Sequence, residues 1–162
     1  MELLMNKRFS LVAIVVLMSA VLVCAAESAK ADDVSSTAKV LSIRNEALYK
    51  KAGTDQWLKL DKSVILSEGD AIKTGKDSEV KLELSGNAKT AELVVAYDSE
   101  FTLKTFHHDP STKLENTLLD VSIGSVLVKA EKLIGDSKFE AKTPTSIVGI
   151  RGTIFEIQVS KA

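Results

Sequence analysis

The chain is poor in the residues that most often build disulfide frameworks, metal sites and aromatic binding surfaces. Its 162 residues include one cysteine, two histidines and one tryptophan, and aromatic residues make up only 5%. A single cysteine forms no disulfide framework, so the stability of the fold must come from its hydrophobic core. With so few aromatics, a platform for stacking sugars is not expected, and we interpret Trp57 as core or edge packing.

Long apolar runs are also scarce, and the one that stands out lies at the start of the chain. Basic Lys7 and Arg8 precede the uncharged segment Phe9–Ala26, and small residues then lead to Ala31. This order is typical of a secretory signal peptide, with cleavage predicted after Ala31. The expected location is therefore periplasmic or secreted, without a membrane span in the mature chain.

Three alternatives stay open for this first segment. Cleavage after Ala26 is one of them. An uncleaved anchor over Phe9–Ala26 is the second, because the run approaches the roughly 17–20 residues that span a bilayer. Lipidation of Cys24, which follows Val23 at the end of the apolar run, is the third. The last two predict a membrane-tethered domain.

Basic and acidic residues are also nearly equal in number, so the chain has no large net charge. Without residues 1–31, the totals of 21 basic and 22 acidic residues lose Lys7, Arg8, Lys30, Glu2 and Glu27, which leaves 18 and 20. This balance argues against a nucleic-acid partner, which usually requires a basic patch. We divide the chain into a signal peptide at 1–31, a flexible lead-in at 32–37 and one domain at 38–162, a typical size for a single core.

Beyond residue 37 the apolar residues recur with a period of two, which indicates strands. The predicted strands are Lys39–Ile43, Ala47–Lys50, Ala71–Thr74, Glu79–Leu84, Glu92–Ala96, Glu100–Lys104, Leu118–Ile123, Ser125–Ala130, Lys138–Lys142 and a last one with Thr153, Phe155, Ile157 and Val159 facing inward. Turn signals separate them, including one at Ile123-Gly124-Ser125. Only Lys129–Ile134 leaves room for a single helical turn.

Short strands with frequent turns predict an all-β fold of about 10–12 strands, either an antiparallel-rich roll or sandwich or a short solenoid-like arrangement. A weak internal echo favours the solenoid-like alternative. Residues 77–82 and 98–103 share an Asp-Ser turn followed by the same alternation of charged and apolar positions.

Few residues suit a chemical role. His107-His108-Asp109 contains both histidines, but neighbours on a strand point to opposite faces and do not easily share an ion, so we predict an exposed hairpin loop. Arg151 has five donors and is predicted to tie backbone carbonyls or a carboxylate, with a small anionic ligand as the alternative. Neither a cysteine nucleophile after residue 31 nor a recognisable triad spacing is present, so we expect no enzyme, no cofactor and no metal.

Several motifs follow one another along the chain. They are Trp57-Leu58-Lys59-Leu60, the run from Leu66 through Gly69-Asp70 to Thr74-Gly75, the strand Asp77–Leu82, Leu119 with Gly124-Ser125-Val126, and the closing motif Thr143-Pro144 to Gly149-Ile150-Arg151-Gly152-Thr153-Ile154-Phe155. In this order they resemble the FecR domain, the periplasmic domain of iron-dicitrate-type regulators. Together they span about residues 38–159. We interpret these motif residues as structural, with Gly69-Asp70 and Thr74-Gly75 bracketing a strand.

The resemblance implies the fold and the compartment, and it leaves two functional hypotheses. The first is a non-catalytic extracytoplasmic module that binds an envelope protein or cell-wall glycan. The second is a sensory component that recognises a small anionic ligand, as ferric-citrate signalling implies, together with a membrane partner. The anti-sigma segment of the named regulators is not expected here, because only eight residues precede the apolar segment.

Overall fold

The computed structural model describes residues 33–160 of the protein, and this part consists of β-strands joined by turns. The strands are β1 (Val34–Ser35), β2 (Thr37–Arg44), β3 (Ala47–Lys50), β4 (Leu58–Lys59), β5 (Ile65–Leu66), β6 (Ala71–Thr74), β7 (Glu79–Ser85), β8 (Lys89–Val95), β9 (Glu100–His108), β10 (Glu115–Ala130), β11 (Lys138–Lys142), β12 (Ile147–Gly149) and β13 (Ile154–Val159). The all-β prediction is confirmed.

The strands form two sheets that share β10. The first sheet has the order β4-β3-β6-β9-β10-β11-β12, with β1 also paired to β9. The second has the order β5-β2-β7-β8-β10-β13. All these pairs are antiparallel except β10–β11, which is parallel. The fold is thus a roll or sandwich of antiparallel neighbours rather than a solenoid of parallel coils.

One hydrophobic core joins the two sheets. In β7 the side chains alternate strictly, so that Val80, Leu82 and Leu84 are fully buried while the charged residues between them are half-buried. Phe101 and Phe106 of β9 and Phe139 of β11 contribute the largest buried side chains of the first sheet. The alternation of period two therefore predicts the buried face of these strands correctly.

The predicted turn at Ile123-Gly124-Ser125 is wrong, because β10 runs without interruption for 16 residues. Its first half pairs with β9 and β11, and its second half with β8 and β13. Gly124 adopts a φ of +93°, and the register against β9 shifts just before it. The glycine therefore bends the strand from one sheet into the other, where the sequence pattern suggested two strands and a turn.

Two smaller predictions at the end of the chain also fail. No helical turn forms at Lys129–Ile134, because Lys129 pairs with Ile154 and the N–H of Glu131 donates to Thr90 O at 2.9 Å. Of the predicted inward set of β13, Thr153 is exposed and precedes the strand, whereas Ile157 is buried. Pairing across the sheet overrides the local pattern at both places.

The weak echo in the sequence corresponds to a repeated turn. Asp77 and Asp98 each adopt a positive φ, of 56° and 48°. Ser78 and Ser99, which follow them, are both fully buried. Each serine hydroxyl donates to the carbonyl two residues earlier, at 3.2 and 3.1 Å respectively.

Each of these buried serines also accepts an N–H from a bend elsewhere in the chain. The donors are Glu46, at 3.1 Å, and Ser125, at 2.9 Å. Both donors directly follow a residue of positive φ, namely Asn45 and Gly124. The echo therefore marks two equivalent corners of a sheet sandwich.

Residues 33–160 form no apolar helix of membrane-spanning length. The predicted signal peptide at residues 1–31, with its cleavage and lipidation alternatives, lies outside the described part of the chain.

Candidate functional site

The closing segment of the chain forms a hairpin at the end of the first sheet. β11 leads into a turn in which the N–H of Thr143 donates to Ser146 O at 2.8 Å. The Thr143 hydroxyl accepts the N–H of Ser146 at 3.1 Å, which closes the turn. Pro144 lies exposed at the tip, where its missing N–H removes no bond of the ladder. The chain then returns as β12.

The outer side of β12 carries backbone groups that no strand of the described chain pairs with. The hydrogen bonds that flank its ladder join Thr143 to Ser146 and Ile150 to Phe139. Because hydrogen-bonded pairs alternate in an antiparallel ladder, Val148 is the residue of β12 that bonds to β11. The N–H and C=O groups of Ile147 and Gly149 consequently point away from the sheet. We call this side, residues 147–149, the open β12 edge.

The side chains of β12 are as open as its backbone. Ile147 is 64% exposed and Val148 is 49% exposed, although neighbouring strand residues point to opposite faces. Neither face of the strand is therefore covered by the core. Edges are commonly protected by charged residues, and β13 at the end of the other sheet carries Glu156, whereas β12 carries no charge.

The residue after β12 anchors the hairpin to the body of the protein. Ile150 is buried, and its N–H donates to the carbonyl of the fully buried Phe139 at 2.8 Å. Arg151 is exposed, and its Nη2 donates to Gly135 O at 3.1 Å. Arg151 thus ties one backbone carbonyl, in an exposed setting rather than a buried one.

The surroundings of Arg151 are mixed in charge. The shallow depression beside it is also lined by Asp136, Lys138 and Glu140. With Arg151, these side chains carry two positive and two negative charges, so the depression has no net positive charge to attract an anion. This arrangement favours the structural interpretation of Arg151 over the anion-binding alternative.

The last residues of the closing motif, 152–155, lead into β13. Gly152 adopts a φ of +59°, and a Cβ there would lie 3.2 Å from the Cα of Lys132. Thr153 is exposed, but its carbonyl accepts the N–H of Ala130 at 3.1 Å. Phe155 is half-buried and packs against the core.

Asp70 is the most completely bonded carboxylate of the motif residues. Its side chain is 2% exposed and accepts Lys51 Nζ at 2.6 Å, the N–H of Ala52 at 3.0 Å and the N–H of Ser67 at 2.9 Å. Gly69 before it has a φ of +83°, and a Cβ would lie 2.7 Å from the Cβ of Ala52. The carboxylate therefore holds two turns together.

Thr74 and Gly75 belong to the two corners. The buried Thr74 hydroxyl donates to Ala96 O at 2.6 Å and accepts the N–H of Ser99 at 3.0 Å. The N–H of Gly75 donates to Glu46 O at 3.0 Å. These bonds fix the turn between β8 and β9 against the end of β6.

An open groove of about 840 Å³ lies at the corner where β10 bends. We call it the corner groove; it is lined by Lys73, Thr74, the turn 96–99, Glu100, residues 123–125 and the β13 end Glu156, Gln158, Val159 and Ser160. Tyr97 is among its lining residues and is 60% exposed. Sequence reasoning missed Tyr97 as a surface feature, although its place directly before the second Asp-Ser turn was a usable signal.

Trp57 and the histidines have local partners. Trp57 is half-buried before β4, with Lys50 Nζ 5.2 Å from its ring centroid, and so packs at an edge. The loop predicted at His107-His108-Asp109 is wrong for the histidines, which end β9. Strand pairing with β1 continues through both residues. His107 Nδ1 lies 3.1 Å from Glu68, and His108 Nδ1 lies 3.0 Å from Ser36 Oγ.

Residues 33–160 contain no group of three or more histidine, cysteine, aspartate or glutamate side chains arranged to hold a metal ion.

Comparison with known proteins identifies the family. Residues 70–162, more than half of the 162 residues, match the family model described as FecR protein. The match begins at Asp70, so the resemblance of Trp57 and Gly69 to the family pattern lies outside it. No curated protein and no solved structure matches the chain. The matched residues include the strands β9, β10 and β13 of the corner groove and the open β12 edge. The chain therefore belongs to the FecR family.

Proposed function

We propose that this FecR-family protein is a non-catalytic, extracytoplasmic module that binds an extended polypeptide of an envelope partner along the open β12 edge. Membership of the family supports an envelope-associated module related to regulation or signalling. The predicted signal peptide supports the compartment. The choice of the edge as the binding surface is our own step.

The observation that carries the proposal is the state of β12. Ile147 and Gly149 present four backbone groups without a strand partner, and both apolar side chains of the strand are exposed. An added strand satisfies such backbone groups, and its own side chains pack beside those of the edge. The partner segment that fits is therefore extended, free of proline at the paired positions, and apolar on both faces.

The hairpin is well held for this purpose. Ile150 and the Thr143–Ser146 turn fix its two ends by backbone hydrogen bonds of 2.8 Å. A preformed strand loses little conformational entropy when a partner pairs with it. The edge is thus a ready template rather than a loop that must first become ordered.

The second hypothesis, recognition of a small anion, receives less support. Its motivating residue, Arg151, already donates to Gly135 O and has Asp136 and Glu140 in the same depression. We therefore propose partner binding as the function.

Photo-crosslinking in the cell envelope tests the proposal. A photoreactive residue in place of Ile147 is compared with one in place of Ile134, which is equally exposed, at 65%, but lies in a loop. We expect a discrete crosslinked partner from position 147 and none from position 134. Identical products from both positions would show that exposure alone causes crosslinking.

The same experiment in a Gly149→Pro background separates strand addition from side-chain contact. The N–H of Gly149 points away from β11, so proline removes no bond of the hairpin ladder. Gly149 does not use a left-handed backbone, and a Cβ there meets nothing within 4 Å. We expect an unchanged circular dichroism spectrum and loss of the crosslinked product. Full crosslinking in this folded variant would refute pairing along the edge.

A further inference from the structure

The corner groove has rigid walls. The turn that carries Tyr97 is held by Thr74 on one side and by Ser125 on the other, because Ser99 Oγ accepts the N–H of Ser125 at 2.9 Å and Ala96 N donates to Ser125 O at 2.9 Å. Gly124 faces Ser99 so closely that a Cβ would collide with the serine backbone. The wall formed by this turn and by the bend of β10 is therefore fixed by hydrogen bonds within the protein.

Tyr97 supplies an exposed aromatic ring in this groove. Tyr97 is 60% exposed and lines the groove, so one ring offers a stacking surface that the low aromatic content did not predict. An aromatic ring with one polar end packs well against ligands that carry both C–H and hydroxyl groups. The turn holds the backbone of this residue in place, since Tyr97 O accepts Ser99 Oγ at 3.1 Å.

The floor beside the ring offers an ordered row of polar groups. Ser125 Oγ donates to Glu156 Oε1 at 2.6 Å, and Gln158 Nε2 donates to the same oxygen at 3.2 Å. The second carboxylate oxygen of Glu156 and the amide oxygen of Gln158 have no partner among the hydrogen bonds of residues 33–160. Neighbouring acceptors and donors of this kind suit the adjacent hydroxyl groups of a sugar ring.

The charges of the groove select against acidic ligands. Among the residues 33–160 that line it, Lys73 is the one cation, and its Nζ lies 3.7 Å from Glu100. Asp98 and Glu156 add further negative charge. The volume of about 840 Å³ lies within the range of roughly 300–1,000 Å³ that small-ligand sites occupy.

We infer that the corner groove binds a neutral or amine-bearing oligosaccharide, with a pyranose ring stacked on Tyr97 and its hydroxyl groups bonded to Glu156 and Gln158. This site is separate from the open β12 edge and does not depend on it. A module with both surfaces holds a protein partner beside an envelope glycan.

The test is an NMR titration of the full chain with the hexamer of N-acetylglucosamine, a neutral probe. We expect chemical-shift changes confined to residues 73–74, 96–100, 123–125 and 156–160. Tyr97→Ala should weaken the affinity about tenfold or more, as loss of a central aromatic contact does. Trp57→Ala is the matched control, because Trp57 does not line the groove, and it should leave the affinity unchanged.

The opposite results would overturn the inference. They are an absence of shift changes at millimolar hexamer, an equal loss of affinity in both variants, or full affinity in Tyr97→Ala. Because Tyr97 is exposed, Tyr97→Ala should keep the unfolding transition of the wild type. An acidic hexamer, oligogalacturonate, should not bind, and tighter binding of this probe would contradict the selection by charge.

Discussion

At the scale of the residue, a few polar side chains and glycines determine the corners of the fold. Ser78 and Ser99 each connect an Asp-Ser turn to the bend of another strand. The composition does not reveal these roles of the two serines, but the repeated Asp-Ser pair in the sequence indicates two equivalent turns. The sequence pattern at Gly124 predicts a turn, whereas the structure has the alternative meaning of a glycine between two strand-like runs, a bend within one strand.

The two glycines of the motif that lie in strands should respond differently to alanine. Gly124→Ala places a Cβ against Ser99 in a left-handed backbone and should lower the free energy of unfolding by about 1–3 kcal/mol or more. Gly149→Ala meets open space and should change it little, or raise it by about 0.4–1 kcal/mol. Urea unfolding of both variants checks this. Equal destabilisation by the two would contradict the assignment of the bend to Gly124.

The ionisation of Glu156 reports on the floor of the corner groove. The hydrogen bond from Ser125 and then the one from Gln158 lower the pKa of Glu156 below its ordinary value of 4.5. A lowered folded pKa stabilises the native state above pH 4.5, and this contribution is lost as the pH falls through the folded pKa. Ser125→Ala should therefore raise the pKa of Glu156 toward 4.5. An NMR titration of the carboxyl carbon measures it, and an unchanged pKa would refute the bond.

At the scale of the element, the period of two predicted most strands, and β3, β6 and β11 match their predicted bounds. The pattern failed where one strand serves two sheets, since the alternation along β10 has different neighbours before and after Gly124. It also cannot identify edges, because which strand remains unpaired depends on contacts distant in sequence. In the apolar run 147–150 only Ile150 is buried, because this run forms the outermost strand of its sheet and the residue after it.

Hydrogen exchange should reveal the alternation within β12. The amides of Ile147 and Gly149 face solvent, whereas those of Val148 and Ile150 bond to β11 and to Phe139 O. In the free protein we expect rapid exchange at 147 and 149 and slower exchange at 148 and 150, measured by NMR. Equal protection at all four amides would show that the outer side of β12 is already paired.

At the scale of the whole molecule, one core supports two separate surfaces at different strands. The hydrophobic cluster draws on both sheets, from Val80 and Leu93 to Phe101 and Phe139. The all-β class and the family followed from the sequence. The two surfaces could not be predicted from the sequence, because the open β12 edge and the corner groove depend on how β10 pairs with both sheets.

The most direct test of the proposed function is hydrogen exchange at Ile147 and Gly149 with and without the partner captured by crosslinking at position 147. Strand addition predicts that both amides become protected in the complex, while Val148 keeps the protection it has in the free protein. A bound complex in which the amides of Ile147 and Gly149 exchange as fast as in the free protein would contradict binding along the open β12 edge.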